Sequence, residues 1–371
     1  MPRDDYYALV IGIARYPHLR QLQGPVKDAK CFCKWLLGWG EVPRENLWVV
    51  ASAEDVGGTA RCVTDEKLQN LPEKNHIETT VEEMFERAGK RWPDTGGRPV
   101  QDDIDEAFRA LFHKARLGQG RRLYVYFAGH GCSQEIRHVA LIMANATAEE
   151  LNLSLNAREY HEGLARTALF PEQVMFYDCC RNYDRRVLGR GPPWTRDDPA
   201  PGAVNVAQFV LFGAGFTEYA NERNLIYSER RGLFTHALLE GLHQAAILRN
   251  GNWVVTAQSL IEYVTTRLGE LARAESLSQQ LSRELVGNPN DIVLATLDNL
   301  PPVPVTVSMP LGDHGLIVKD NRLQEIMRQA VTGSSITFAL PNGYYVLCGD
   351  PSGHQCVAHI TATAGPQQLT L

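Results

Sequence analysis

Two short stretches carry residues able to act on one another. Met175-Phe176-Tyr177-Asp178 is an apolar run of strand character that ends at Cys179-Cys180-Arg181, and Leu123-Tyr124-Val125-Tyr126-Phe127 is a second that ends at Ala128-Gly129-His130-Gly131. A buried strand that delivers a thiol to a loop presents a nucleophile at the carboxyl edge of a sheet. A thiol beside a basic group loses its proton more readily and becomes a nucleophile near neutral pH. If the two strands are parallel neighbours, their tips share one edge and His130 reaches one of the thiols. Successive strand residues point to opposite faces, so only one of Cys179 and Cys180 can face it. The plainer reading is a structural cysteine and a packed histidine. Against it, polar Asp178 and Arg181 flank the thiols, as expected at a strand mouth rather than in its core.

The elements needed to position these residues are legible around them. Tyr6–Ile13 is an unbroken apolar run, as for a central parallel strand covered on both faces. Val26–Trp39 has helical spacing and Leu47–Ala51 is a strand, which together make a βαβ opening. Residues 52–100, with a short helix over Thr79–Arg91, read as an insertion or an elaborated crossover, and Gln101–Ala115 as a helix leading to the His130 strand. Val139–Met143 is expected as a strand, Ser154–Leu169 as largely helical, Val206–Gly213 as a strand, and Gly232–Leu248 and Val255–Ala272 as helices. Arg181–Ala203, rich in arginine, proline and glycine, is a long loop.

Beyond that the composition changes. Leu300-Pro301-Pro302-Val303-Pro304 resists both helix and sheet, so residues 299–304 are expected as a linker between a domain at 1–298 and a small antiparallel β domain at 305–371. A helix at Asn321–Ala330 is expected to interrupt that β domain.

An apolar strand ending in Gly-His-Gly, followed by one ending in Asp-x-Cys, resembles the caspase-like cysteine peptidases in their metacaspase and paracaspase branches, over residues 6–296. The resemblance implies an α/β fold, a mainly parallel sheet flanked by helices. It implies His130 as base, Cys180 as nucleophile with Cys179 in the variable middle position, and the amides of Gly131 and Cys180 as oxyanion donors. Taken alone, Gly131 reads equally well as a glycine required by the turn. Arg181-Asn182 is closer to paracaspases; the His-Ser-Gly usual in metacaspases is missing. In position, the β domain resembles the immunoglobulin-like domain that follows the protease in paracaspases.

Caspases proper bind aspartate before the cut with arginines, whereas the other two branches bind basic residues with acids. The acids that match are Asp28, Asp178 and Glu222. Asp28 is also favoured simply by its place in a first helical turn, and Glu222 reads alternatively as a solvated loop residue. Converging carboxylates raise one another's pKa until a cation joins them. A guanidinium can engage two of them, and an ammonium is only a point charge. The implied activity is a cysteine endopeptidase that acts on protein substrates and prefers arginine to lysine before the cut. A rival of another class is an inactive caspase-fold scaffold that binds partners through the β domain; intact His130 and Cys180 speak against it.

Composition bounds the rest. A net charge of −6 without a long basic block gives nucleic acid no footprint. The Met-Pro-Arg-Asp-Asp start lacks a signal-peptide core, and no run approaches the about 20 apolar residues of a membrane span, so a soluble cytoplasmic protein is expected. Eight cysteines in 371 residues are too sparse for a disulfide scaffold, and the Cys31-Phe32-Cys33 spacing suits zinc poorly. Asp197-Asp198 falls short of the about six to eight oxygens that calcium takes. No cofactor or metal is therefore expected, calcium included. His113, His236 and His243 read as surface or packing residues on helices. A homodimer is compatible with the sequence, which does not fix the oligomeric state.

Overall fold

Strand β1 (Tyr6–Gly12) is buried along its whole length, as an apolar run with both faces covered requires. The structure is a computed structural model that describes residues 2–53, 63–69, 71–91, 97–118, 120–195, 198–224, 230–249, 252–289, 292–297, 303–320, 323–340, 343–360 and 367–371. By internal contacts the chain divides into two units. One is Met1–Gly241 with Leu260–Ile292, and the other is Leu242–Ser259 with Val293–Leu371.

In the first unit a loop after β1 reaches helix α1 (Pro25–Gly38), and the chain returns in β2 (Leu47–Ala51), parallel to β1. Proline opens α1, where its missing N–H is not needed. The insertion supplies α2 (Val63–Leu68) and α3 (Lys74–Lys90), which starts five residues before the expected helix. Two buried lysines of α1 hold them, Lys30 on Glu82 at 2.6 Å and Lys34 on Asp65 at 2.5 Å. Helix α4 (Gln101–Gly118) buries Ile104, Phe108, Leu111 and Phe112 and leads to β3 (Arg122–Ala128).

Three short strands, β4 (Gly131–Cys132), β5 (Ala140–Ile142) and β6 (Ser154–Asn156), form a small sheet. Then come α5 (Ala157–Thr167), β7 (Glu172–Asp178), the long loop, β8 (Ala207–Phe212), and the antiparallel pair β9 (Glu222–Asn224) and β10 (Arg230–Gly232). Helix α6 (Leu233–Gln244) stops four residues short of expectation. The next residues pair as β11 (Ala246–Arg249) and β12 (Asn252–Thr256) before α7 (Ala257–Ala274) and β13 (Ser282–Val286). Trp253-Val254-Val255 is β-branched and aromatic, and such residues fit a pleated surface better than a helix end.

The central sheet runs β13-β8-β7-β3-β1-β2, parallel throughout except for β13, an antiparallel edge strand absent from the sequence reading. Its strands alternate faces as expected. Leu123, Val125 and Phe127 of β3 and Met175 and Tyr177 of β7 pack in one core with α4. Tyr126 and Phe176 turn the other way, against Phe32 of α1. The chain leaves β1 toward β2 on one side and resumes on the other side with β3. The topological switch point of the sheet thus lies between the carboxyl ends of β1 and β3, where open α/β sheets leave a crevice.

In the second unit, β14 (Val293–Thr296) joins β12, and seven strands follow: β15 (Val303–Ser308), β16 (Gly315–Lys319), β17 (Glu325–Ala330), β18 (Ser335–Leu340), β19 (Gly343–Asp350), β20 (Gln355–Ile360) and β21 (Gln367–Thr370). They form two sheets, β18-β15-β21 and β17-β16-β19-β20, which share one core around Val305, Val307, Leu316, Val318 and Leu347. The pairs are antiparallel except β15 with β21. The helix expected at Asn321–Ala330 is not formed over its described part. Glu325–Ala330 is β17, an exposed edge strand whose pairing to β16 overrides the helix preference of Glu, Met, Arg and Gln. Most of the expected linker lies outside the described residues, and its last two residues, Val303 and Pro304, open β15.

Candidate active site

Strand register alone brings the two stretches together. β3 and β7 pair in parallel up to Ala128 opposite Asp178, and the Gly129 N–H continues the ladder by donating to the Asp178 carbonyl at 3.2 Å. His130 and Cys180 each lie two residues past those tips, so period-two alternation puts both on the α1 side. Both line one cavity of about 600 Å³. Cys179 falls on the opposite face, fully buried in the core with Phe127, Tyr177 and Phe212.

The loop after β1 fixes the imidazole, though nothing in the sequence singled it out. The Tyr16 ring packs tilted against that of His130 with centroids 4.6 Å apart, and its hydroxyl accepts the His130 backbone N–H at 2.8 Å and donates to the Ile142 carbonyl at 3.3 Å. His130 Nε2 lies 2.6 Å from the carbonyl oxygen of Arg20. A carbonyl only accepts, so the neutral ring carries its proton on Nε2 and keeps Nδ1 as a base. Burial holds the imidazole below its usual range, and the Arg20 charge adds to this while the carbonyl bond opposes it. The Cys180 thiol faces the Ala220 carbonyl, with Sγ to oxygen 3.6 Å. Burial pushes it up to about 11, against that hydrogen bond and with help from the charges of Asp178 and Glu222. The resting pair is therefore a neutral thiol and a neutral imidazole.

Gly131 is needed for packing whatever else it does. A Cβ there would stand 2.7 Å from the Cys180 carbonyl oxygen and 2.8 Å from Cys179 Sγ, closer than real side chains tolerate. The cavity is lined by Gly129 and His130 but not by Gly131.

Asp28, Asp178 and Glu222, far apart in the chain, all line the same cavity as His130 and Cys180. The carboxylates do not simply face one another across empty space. Asp28 is buried with both oxygens engaged, Oδ1 by Arg231 Nε at 2.6 Å and Oδ2 by the Gly232 N–H at 2.9 Å. Glu222 accepts the Gly24 N–H at 2.9 Å and the Gln23 N–H at 3.3 Å, with Arg230 Nε 3.6 Å away. Asp178 Oδ2 accepts both the hydroxyl and the N–H of Thr235, at 2.6 and 3.1 Å. Its Oδ1 has no hydrogen bond among the described residues. Gly232 permits this crowding, because a Cβ there would sit 2.1 Å from Asp178 Oδ2.

Burial raises all three carboxyls. Asp178 is pushed up to about 7 by burial and then by the charge of Asp28, and the Thr235 hydrogen bonds offset part of this. Asp28 is raised by burial despite Arg231, and Glu222 by burial and by Asp28 against the Gly24 hydrogen bond. Sequence reasoning missed Arg231, Arg230 and Thr235. Arg230-Arg231-Gly232 carries no pattern by which its distant partners are legible.

Arg181 behaves as a structural arginine. It is 1% exposed, bonds Ser133, Ser282 and the Ile136 carbonyl, and lies over the Phe212 ring at 5.1 Å. His236 and His243 are buried on α6, and His113 is exposed on α4. Among the described residues no group of three or more His, Cys, Asp or Glu side chains is arranged to hold a metal ion, and no helix is long and apolar enough to cross a membrane. Asp197 lies outside the described residues.

No curated protein matches the chain. Among solved structures, the Arg-specific cysteine proteinase gingipain R is similar at 11% identity and a TM-score of 0.33, over 97% of this chain and 68% of that one. A likeness so slight carries nothing about specificity. The caspase-domain peptidase profile matches residues 5–286, a stretch that contains the sheet, the cavity and every residue described around it; the chain belongs to the caspase family of cysteine peptidases.

Proposed function

We propose that the protein is a cysteine endopeptidase that cuts protein substrates after basic residues, arginine in preference to lysine. The observation that carries this reading is one cavity lined by His130 and Cys180 together with Asp28, Asp178 and Glu222. The acids favour the paracaspase and metacaspase side of the family over the aspartate-cutting side. The free Asp178 oxygen and the Glu222 carboxylate receive the substrate cation, and a planar guanidinium spans two such acceptors where an ammonium cannot. Asp28, with its oxygens engaged, contributes charge and holds the β9–β10 pair in place.

His130 Nδ1 takes the thiol proton as Cys180 Sγ bonds to the scissile carbonyl carbon. The oxyanion is met by the amides of Gly131 and Cys180. Collapse breaks the carbon–nitrogen bond, and the proton on Nδ1 goes to the leaving amine. Water, deprotonated by the same nitrogen, then releases the acyl group from sulfur. No step uses a metal, so a chelator leaves activity unchanged.

The test is cleavage of a randomised peptide library by wild type and Cys180→Ala, with labelling by a thiol-reactive probe. Arginine before the cut, with labelling at Cys180, is the expected result. Aspartate in that position refutes the pocket reading, and absence of both cleavage and selective labelling makes the chain a scaffold.

A further inference from the structure

Arginines as well as acids line the cleft. Arg20, Arg223 and Arg230 line it along with the acids. Arg230 is directed at Glu222, 3.6 Å away, and Arg223 at Glu275, 3.4 Å away. Arg20 differs from both. It is exposed, and its guanidinium makes no hydrogen bond or ion pair among the described residues. Its backbone carbonyl is the group that holds His130 Nε2 at 2.6 Å, so this side chain departs from the backbone beside the imidazole. Its charge is felt at the ring and helps to hold His130 below its usual range.

The chemistry of the proposed cysteine-peptidase reading, on which this inference rests, says which part of a substrate passes here. His130 gives its proton to the departing amine, so the departing segment crosses His130 and its first residues lie nearest to Arg20. We infer that Arg20 is a specificity-determining residue for the leaving side of the substrate, favouring an acidic residue directly after the cut and disfavouring a basic one. The preferred bond then has a charge polarity: a cation before the cut directed to Asp178 and Glu222, and an anion after it directed to Arg20. The contact sits at a solvated rim. Attraction and repulsion together give about a tenfold contrast between aspartate and lysine, carried mainly by kcat/KM and fading at about 1 M salt, where the screening length is about 3 Å.

The experiment uses three quenched fluorescent peptides with arginine before the cut, identical except for aspartate, alanine or lysine after it. Each is assayed with wild type, Arg20→Ala and Arg20→Glu. Every variant keeps the backbone carbonyl, and ratios within one variant remove any general change in rate. Wild type is expected to rank aspartate over alanine over lysine, Arg20→Ala to flatten the ranking, and Arg20→Glu to reverse it. Equal cleavage of all three by wild type, or an unchanged ranking in Arg20→Ala, overturns the inference and leaves the basic pocket standing. A wild type that cuts none of the arginine peptides overturns the pocket reading and this inference with it.

Discussion

The histidine–cysteine side of the cleft and its acid side are held by different kinds of interaction. His130 and Cys180 rest on neutral partners: a carbonyl from Arg20, a hydroxyl from Tyr16, a carbonyl from Ala220. The acid side adds charge to neutral donors: Arg231 bonds Asp28, two residues 203 positions apart in the chain, and Arg230 stands 3.6 Å from Glu222. Burial, against the pull of the two carbonyls, leaves thiol and imidazole uncharged until substrate arrives. On the other side Asp28 and Glu222 each have a guanidinium beside them, and Asp178 has none among the described residues. The two sides are thus suited to different tasks, one to moving a proton and the other to receiving a single cation.

The largest expected effect breaks the first side. Cys180→Ala should abolish turnover and leave the fold intact, since its side chain lines a cavity and gives up only one long contact, to the Ala220 carbonyl. Cys179→Ala should keep substantial activity and lose stability instead, within the about 0.5–3 kcal/mol usual for a core change. Activity with chloromethyl-free peptide substrates and thermal melting of both variants check this; the opposite ranking of activities would reassign the nucleophile.

On the second side, Asp178 and Asp28 should separate. Removing Asp178 leaves a bound guanidinium partly unpaired, which costs about 2–5 kcal/mol in kcat/KM for arginine peptides. Replacing Asp28 takes the charged acceptor away from buried Arg231, which costs about 3–5 kcal/mol of folding stability. Asp178→Ala should therefore be the worse enzyme and Asp28→Asn the less stable protein. Kinetics and denaturant melts on both variants decide, and an unchanged arginine preference in Asp178→Ala would remove it from the pocket.

The same contrast explains what was legible in the sequence. Period-two alternation on two parallel neighbours made it legible that one of Cys179 and Cys180 faces His130, the family resemblance named Cys180, and the level ends of β3 and β7 at Ala128 and Asp178 put it on the His130 face. The acids were legible only through the family resemblance. Their surroundings were not, because Arg231 and Thr235 meet Asp28 and Asp178 through contacts that no local periodicity encodes. Tyr16 and the Arg20 carbonyl were hidden in a loop, where a backbone oxygen carries no residue signature. Strand β17 misled for a related reason: its residue types favour helix, and only its pairing with β16 makes it a strand.

A pH profile sharpens the contrast further. In the free protein Asp178 sits at about 7, so kcat/KM for arginine peptides should rise as pH passes through about 7, and this limb should vanish in Asp178→Asn. The bound guanidinium favours the ionised carboxylate, so the corresponding limb in kcat should lie at lower pH. Stability runs the other way. A carboxyl raised above its unfolded value favours the folded state fully below about 4, and that contribution is lost as pH rises through about 7. Wild type should thus lose stability relative to Asp178→Asn over that window. A kcat/KM limb shared by both proteins would place the titration elsewhere.

The smallest effect concerns whether the acid side ever receives the protein's own chain. The loop after Cys180 offers Arg185, Arg186 and Arg190, and as a sequence it looks open to nicking. The structure divides these three. Arg190 has its N–H on the Ser154 carbonyl at 2.7 Å and its carbonyl on the Asn156 N–H at 2.9 Å, and Val187 just before it is fully buried. A protease needs an extended, unpaired segment, so a cut after Arg190 would first require both of those hydrogen bonds and the Val187 anchor to be released. Arg185 and Arg186 are exposed, and the backbone there is held only by side chains, the Arg185 carbonyl by Gln134 at 3.1 Å and the Arg186 N–H by Asp184 at 2.9 Å. Intact-mass spectrometry of wild type beside Cys180→Ala should therefore show a minor species cut after Arg185 or Arg186, absent from Cys180→Ala, and none cut after Arg190. A product ending at Arg190 would mean that this part of the loop opens far more readily than its hydrogen bonds allow, and identical masses would mean that the protein does not cut itself here at all.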